Sequence, residues 1–125
     1  LHPTYSNVVN EVIAFLAKQI HKANVAGIHD VIIDPGFGFG KTTEHNFELL
    51  DKLNLFCVLH APILVGLSRK SMIYKTLETS PEQSLNGTSA LHAVALQNGA
   101  DILRVHDVRE AVEVIQLFRK LKSQL

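Results

Sequence analysis

The chain has 125 residues, 46% apolar and 19% charged, with a formal net charge of zero. That suits one globular domain and excludes broad nucleic-acid or acidic-membrane binding, both of which need a surplus of Lys and Arg. No stretch approaches the roughly 18 consecutive apolar residues of a membrane-spanning helix.

The single cysteine, Cys57, lies in the apolar stretch 55–59 and is expected to be a buried, inert thiol. The opening Leu-His-Pro-Thr has no secretory pattern, so a reducing cytoplasm is the expected compartment. The first residue is Leu rather than Met, which raises the expectation of a longer parent chain.

The order of elements reads helix, strand, helix, strand, helix, strand, helix. Val9, Val12, Ile13, Leu16 and Ile20 share one face of a helix over 7–24, with Glu11, Lys18 and Lys22 opposite and Gly27 as its stop. Val31-Ile32-Ile33 is a short β-branched run suited to a strand buried on both faces, ended by Pro35 and Gly36. A helix should begin near Glu44 with Thr43 as its cap, burying Phe47, Leu50 and Leu53. The second strand spans 63–67 and leads into the polar loop Ser68-Arg69-Lys70-Ser71, then a short helix over 72–77. Ser80, Pro81 and Gln83 predict a capped start for a helix that carries Leu91, Val94 and Ala95 inward and stops at Asn98-Gly99. The third strand covers 102–105. Asp107 and Glu110 predict a second capping box, before a last helix striped by Val114, Phe118 and Leu121. Such alternation predicts an α/β fold of parallel strands with right-handed crossovers, either doubly wound or part of a barrel. Three strands cannot close a barrel, and a complete one needs about 250 residues.

In both architectures ligands bind at the C-terminal strand ends. Those ends bring Asp34 and a glycine loop, Ser68 to Ser71, and Arg104, His106 and Asp107 to one rim. The loop Gly36-Phe-Gly-Phe-Gly-Lys41-Thr is not a P-loop, because the first glycine of that motif would stand where Pro35 is. Nor is it the dinucleotide fingerprint, whose third glycine would fall at Lys41. Alternate glycines instead let the backbone fold tightly and free a phenylalanine to cover a partner. A carboxylate beside an aromatic suits a flat, nitrogen-rich ring. Phe37 is read as a packing residue. Asp34, close to the sheet edge, needs a partner, and a ligand is the favoured one. Arg104 stands opposite Leu103 and Val105 along the strand, and His106 shares its face, which makes an oxyanion or pyrophosphate clamp. Arg69 and Lys70 cannot be told apart by pattern. His2, His21, His29, His45, His60 and His92 show no metal-ligand spacing and are read as structural or surface residues.

Asp34-Pro-Gly-Phe-Gly-Phe-Gly-Lys41, Gly66-Leu-Ser-Arg-Lys70-Ser71-Met, Asn86-Gly-Thr88 and Arg104-Val-His106-Asp107-Val together resemble the C-terminal half of the dihydropteroate synthase family. The resemblance covers essentially the whole chain. It implies that residues 1–125 form a partial pterin-binding TIM (β/α)8 barrel, with strands six to eight and helices five to eight of the family pattern. It also implies a transferase of folate biosynthesis, a sulfonamide target. That enzyme condenses dihydropterin-methyl pyrophosphate with p-aminobenzoate to 7,8-dihydropteroate and pyrophosphate. By the same resemblance Asp34, Phe39, Gly66, Lys70 and Arg104 would bind the pterin. Phe39, Lys70 and Ser71 would line the p-aminobenzoate side, and Arg104 and His106 would grip the pyrophosphate. Lys70, Arg104 and His106 are then the catalytic expectation. Mg²⁺ is implied as cofactor, held by ligands from the N-terminal half and none here. The whole enzyme is expected to be a cytoplasmic homodimer, and these 125 residues alone to be inactive. A methyltetrahydrofolate-binding methyltransferase domain is one alternative, and a non-catalytic half-barrel that pairs with another chain is a second.

Overall fold

The computed structural model describes residues 7–124; His2 lies outside them. Asn7 caps helix α1 (Val8–Val25), its side chain accepting the N–H of Asn10 at 3.0 Å. The helix ends in paired bonds from Gly27 N–H to Asn24 and from Ile28 N–H to Ala23, the closure expected of a left-handed residue after the last turn. Val12, Ile13, Leu16 and Ile20 pack on the core as their spacing predicts.

The predicted strand at 31–33 is reduced to one parallel bridge, Ile33 to Ile63. Ile33 N–H donates to Pro62 O at 2.9 Å, and Leu64 N–H donates to Ile33 O at 2.8 Å. Val31 and Ile32 find no ladder partner among the described residues, so a run patterned for burial on both faces stays an edge and Ile32 is exposed. The sheet proper has two parallel strands, β1 (Leu64–Val65) and β2 (Ile102–Leu103), with Leu64 opposite Ile102 and Val65 opposite Leu103. The three-strand expectation is corrected to two strands and a bridge, still side by side in chain order.

Helix α2 (Thr43–Asp51) starts one residue before the expected Glu44, because Thr42 rather than Thr43 is the cap. Thr42 Oγ1 accepts His45 N–H at 3.1 Å, while His45 Nδ1 accepts Thr42 N–H at 3.4 Å. A 3₁₀ turn over Leu53–Leu59 follows. Its three-residue period turns Leu53 and Phe56 fully inward. Cys57 therefore points outward, and the expectation of a buried thiol is overturned.

After β1 come α3 (Ser71–Thr76), a 3₁₀ turn at Pro81–Gln83, and α4 (Leu85–Gln97). Ser80 makes no side-chain cap, so the single helix expected from it is split. The turn is held instead by other groups: the Pro81 and Glu82 carbonyls accept the Arg69 guanidinium, and Ser84 Oγ also donates to Pro81 O. On α4 the buried line is Thr88, His92 and Ala95, which turns Val94 out to solvent against expectation. Helix α5 (Val108–Lys122) begins at Asp107, whose side chain caps nothing because Arg69 holds it. Val114 and Phe118 are half-buried, but Leu121 is exposed.

The helices pack in sequence, α1 on α2, α2 on α3 and α4, and α4 on α5. Phe37, Leu49, Leu53, Phe56, Val65 and Leu67 fill the core. No helix among the described residues is long and apolar enough to cross a membrane.

Candidate functional site

The segments 33, 63–65 and 102–104 run parallel, so their C-terminal ends meet on one rim. Asp34 follows the bridge and is half-buried. Its Oδ1 accepts the Gly36 N–H at 2.9 Å, and its Oδ2 accepts Arg104 Nη1–H at 3.1 Å. The partner expected to be a ligand is thus a protein guanidinium here. Arg104 is about half exposed and Asp34 about one-third, so water screens the pair, which is worth about 0–1 kcal/mol and opens at little cost.

Arg104 can lie there because residue 66 is glycine. A β-carbon on Gly66 would collide with Arg104 Nη2 and stand 2.6 Å from its Cζ. The strand alternation is as predicted: Arg104 and His106 are exposed, and Leu103 and Val105 half-buried. One strand over, Gly66 and Ser68 take the matching positions. Ser68 Oγ lies 2.8 Å from His106 Nδ1 and accepts the His106 backbone N–H at 3.3 Å. Gly66, Ser68, Lys70, Arg104, Val105 and His106 line a cavity of roughly 130 Å³.

The glycine loop closes the other side. Gly36, Gly38 and Gly40 all have positive φ, which explains their alternation. Phe37 is 1% exposed and Phe39 70% exposed, so packing and display are divided between them. Lys70 Nζ donates to Phe37 O at 2.6 Å and stands 5.3 Å from the Phe39 ring centroid. Lys41 Nζ donates to Gly36 O at 2.7 Å. Phe39, Lys41 and Asp34 face a second cavity of roughly 400 Å³ beside α1. The largest cavity, roughly 800 Å³, lies at the opposite ends of the strands around Cys57, Pro62 and Asp101, and no Lys or Arg lines it.

Sequence pattern could not separate Arg69 from Lys70. In the fold, Arg69 is spent on structure. Its Nε and Nη2 donate to both oxygens of Asp107, at 2.9 and 3.0 Å, and its Nη1 to the Pro81 and Glu82 carbonyls. Lys70 is the one turned to the rim. Ser71 opens α3 directly after it but is not among the residues lining the small cavity. Asn46 went unread in the sequence: it is buried, its Oδ1 accepts the Gly38 N–H at 2.8 Å, and its Nδ2 donates to Thr42 O. An asparagine at the head of the inward-turning Phe47-Glu-Leu-Leu stretch was the available signal.

Lys70, Arg104 and Lys41 surround one carboxylate, so the rim carries excess positive charge. Burial, and then the Arg104 charge, pushes the Lys70 ammonium below the usual lysine range; Asp34 opposes this and Lys41 adds to it. Burial likewise lowers Lys41. Below the ordinary value of 10.5 the folded chain therefore releases the Lys70 proton before the unfolded chain does, and stability rises with pH through that window. Denaturant midpoints measured upward from about pH 8 should climb less steeply in Lys70→Met than in the parent. Equal slopes would show that the ammonium bears no such penalty.

Comparison with known proteins agrees with this geometry. The model of the pterin binding enzyme family matches residues 1–106. The chain is 45% identical over 120 residues to dihydropteroate synthase of Haemophilus influenzae, covering 94% of this chain and 44% of that protein. Dihydropteroate synthase of Thermus thermophilus, solved in complex with 6HMPPP, superposes with TM-score 0.91 at 45% identity, over 96% of this chain and 49% of that one. The Xanthomonas albilineans enzyme, solved with 7,8-dihydropteroate, gives 0.93 at 44% identity, over 98% and 48%. The chain thus spans under half the length of these relatives, and its parallel strand-helix alternation is part of their TIM-barrel-type fold. The family model covers most of the chain and the relatives keep both its sequence and its backbone course, so this chain belongs to the pterin binding enzyme family.

Proposed function

We propose that the chain is the C-terminal half of a dihydropteroate synthase, a partial pterin-binding barrel carrying strands six to eight and helices five to eight. In this reading the whole enzyme is a cytoplasmic homodimer and sulfonamide target that joins dihydropterin-methyl pyrophosphate to p-aminobenzoate. The observation that carries the reading is the convergence of Asp34, Gly66, Lys70, Arg104 and His106 on one rim, with an open aromatic beside them. The solved relatives hold 6HMPPP and 7,8-dihydropteroate. The first of these is an anion attached to a flat ring, and the rim offers a carboxylate for the ring and cations for the anion.

The residues then divide as follows. Asp34 accepts the N–H groups of the pterin's guanidine-like edge, taking them in place of the Arg104 guanidinium it holds now. Gly66 admits the ring close to the strand, and Lys70 hydrogen-bonds it. Arg104, released from Asp34, covers the ring, and with His106 receives the pyrophosphate. Phe39, Lys70 and Ser71 border the p-aminobenzoate. Chemistry is substitution at the pterin methylene. The C–O bond to pyrophosphate breaks, its electron pair leaving with the pyrophosphate, and the aniline nitrogen bonds to the carbon and loses a proton. The chain's contribution is to position the reactants and to stabilise the departing anion. Among the described residues no group of three or more His, Cys, Asp or Glu could hold a metal ion. We place the ligands of the implied Mg²⁺ in the N-terminal half.

Titration calorimetry with 6HMPPP tests the reading. Saturable binding that Asp34→Asn removes is the expected result, with no turnover when p-aminobenzoate is added to these 125 residues alone. Binding that Asp34→Asn leaves intact would overturn the assignment of the ring to Asp34.

A further inference from the structure

Arg69 and Asp107 lie outside the proposed ligand contacts, yet each is covalently next to a residue that makes them. Arg69 precedes Lys70, and Asp107 follows His106. The two side chains form a two-point ion pair, Nε to Oδ2 at 2.9 Å and Nη2 to Oδ1 at 3.0 Å, which fixes angle as well as distance. Both groups are about three-quarters covered, at 22% and 23% exposure. The remaining Arg69 nitrogen, Nη1, is held by two carbonyls of the turn at Pro81–Gln83. Its backbone N–H donates to Thr88 Oγ1 at 3.0 Å, and its φ is +55°, a conformation a non-glycine residue keeps only when its surroundings hold it. Four of the five Arg69 guanidinium N–H groups are thus taken up by the protein, leaving one on Nη2. One arginine therefore ties the loop after β1 to the loop after β2 and to the start of α4.

Between these two loops runs a second tie, from Ser68 to His106. Ser68 Oγ accepts the His106 backbone N–H, so its own proton is free to go to Nδ1, 2.8 Å away. With the hydroxyl donating to Nδ1, a neutral ring would carry its proton on Nε2, as a donor. A hydroxyl–imidazole bond of this length needs the two loops held in register, and the Arg69–Asp107 pair spans the same two loops.

We propose that Arg69 and Asp107 are positioning residues that lock the two loops together, so that Ser68 holds the His106 ring with Nε2–H as donor to a pyrophosphate oxygen. The role in anion binding rests on the dihydropteroate synthase reading; the coupling of Arg69 to the His106 ring does not.

The test is long-range ¹H–¹⁵N correlation on the His106 ring, above its titration range, in the parent chain, Ser68→Ala and Arg69→Lys. Arg69→Lys keeps the charge and the backbone demand but loses the two-point fork. The parent ring should show Nδ1 as a hydrogen-bonded acceptor and Nε2 protonated. Ser68→Ala should shift Nδ1 and raise the share of the other tautomer. Arg69→Lys, which never touches the ring, should shift Nδ1 in the same direction. Asp107→Glu, which also keeps charge, serves if Arg69→Lys does not fold. A ring unchanged in the folded clasp variants, or a parent ring protonated at Nδ1, would overturn the proposal. Inorganic pyrophosphate titrated into the same samples reads the function separately. Affinity reduced about tenfold in Arg69→Lys, the loss of one charge-assisted bond, is expected. No pyrophosphate binding by the parent, alongside ring signals that respond as stated, would uphold the positioning and sink the pyrophosphate site.

Discussion

Gly66→Ala is expected to leave the fold standing and to weaken binding of 6HMPPP by about 100-fold or more. The reasoning turns on what the new methyl group meets. It would strike Arg104 Nη2 and press on Cζ and Nε, with no backbone atom among its three nearest neighbours. The tip of a long, half-exposed arginine moves aside cheaply, and the ion pair it gives up with Asp34 is a weak one. Thermal unfolding should therefore shift by no more than a degree or two. The site fares differently, because one methyl group fills the space in which the guanidinium now rests and in which the proposed ring must lie. The measurement is a pair, a melting curve and a 6HMPPP titration on the same protein. A large fall in melting temperature would mean that Gly66 is needed for packing. Unchanged affinity would mean that the ring does not approach this strand.

How far the sequence carried this site depends on what each residue does with its neighbours. Strand alternation put Arg104 and His106 on one face, and the fold keeps them there, because a period of two survives even where the ladder is only two residues long. The glycine loop was legible as a tight turn because only positive φ explains glycine at alternate positions. What could not be read was the sharing of polar groups between distant loops. Arg69 and Lys70 are adjacent and alike in charge; the partners that distinguish them, Asp107 and the Phe37 carbonyl, lie 38 and 33 residues away. The same long-range claim on Asp107 defeated one plausible capping box. A cap depends on a local bond, and there the carboxylate was already taken by Arg69. Cys57 failed for a different reason. An apolar run was assumed to be buried throughout, but a 3₁₀ turn buries every third residue and leaves the thiol outside. The strand read at 31–33 survives only as the bridge from Ile33 to Ile63, with no ladder partner for Val31 or Ile32 among the described residues.

The two phenylalanines of the glycine loop should separate stability from binding. Phe37→Ala is expected to cost about 3–5 kcal/mol, the range for emptying a buried aromatic site. Phe37 is 1% exposed and sits among the core residues that close under β1. Its carbonyl also holds the Lys70 ammonium at 2.6 Å, so the backbone shift that follows such a cavity should loosen Lys70 as well. For a domain of this size, whose whole stability is about 5–15 kcal/mol, that loss would leave a large unfolded fraction near physiological temperature. Phe39→Ala removes a ring that is 70% exposed, with the Lys70 ammonium 5.3 Å from its centroid. It buries little against the protein and should change unfolding free energy by no more than about 0.5 kcal/mol. In the dihydropteroate synthase reading its effect would fall on the p-aminobenzoate side, where the exposed ring offers a surface to a second flat substrate. Urea unfolding of both variants, with 6HMPPP binding measured on the folded part, tells them apart. Should Phe39→Ala prove the destabilising one, the division of the loop into a packed and a displayed aromatic would be wrong, and with it the place assigned to the second substrate.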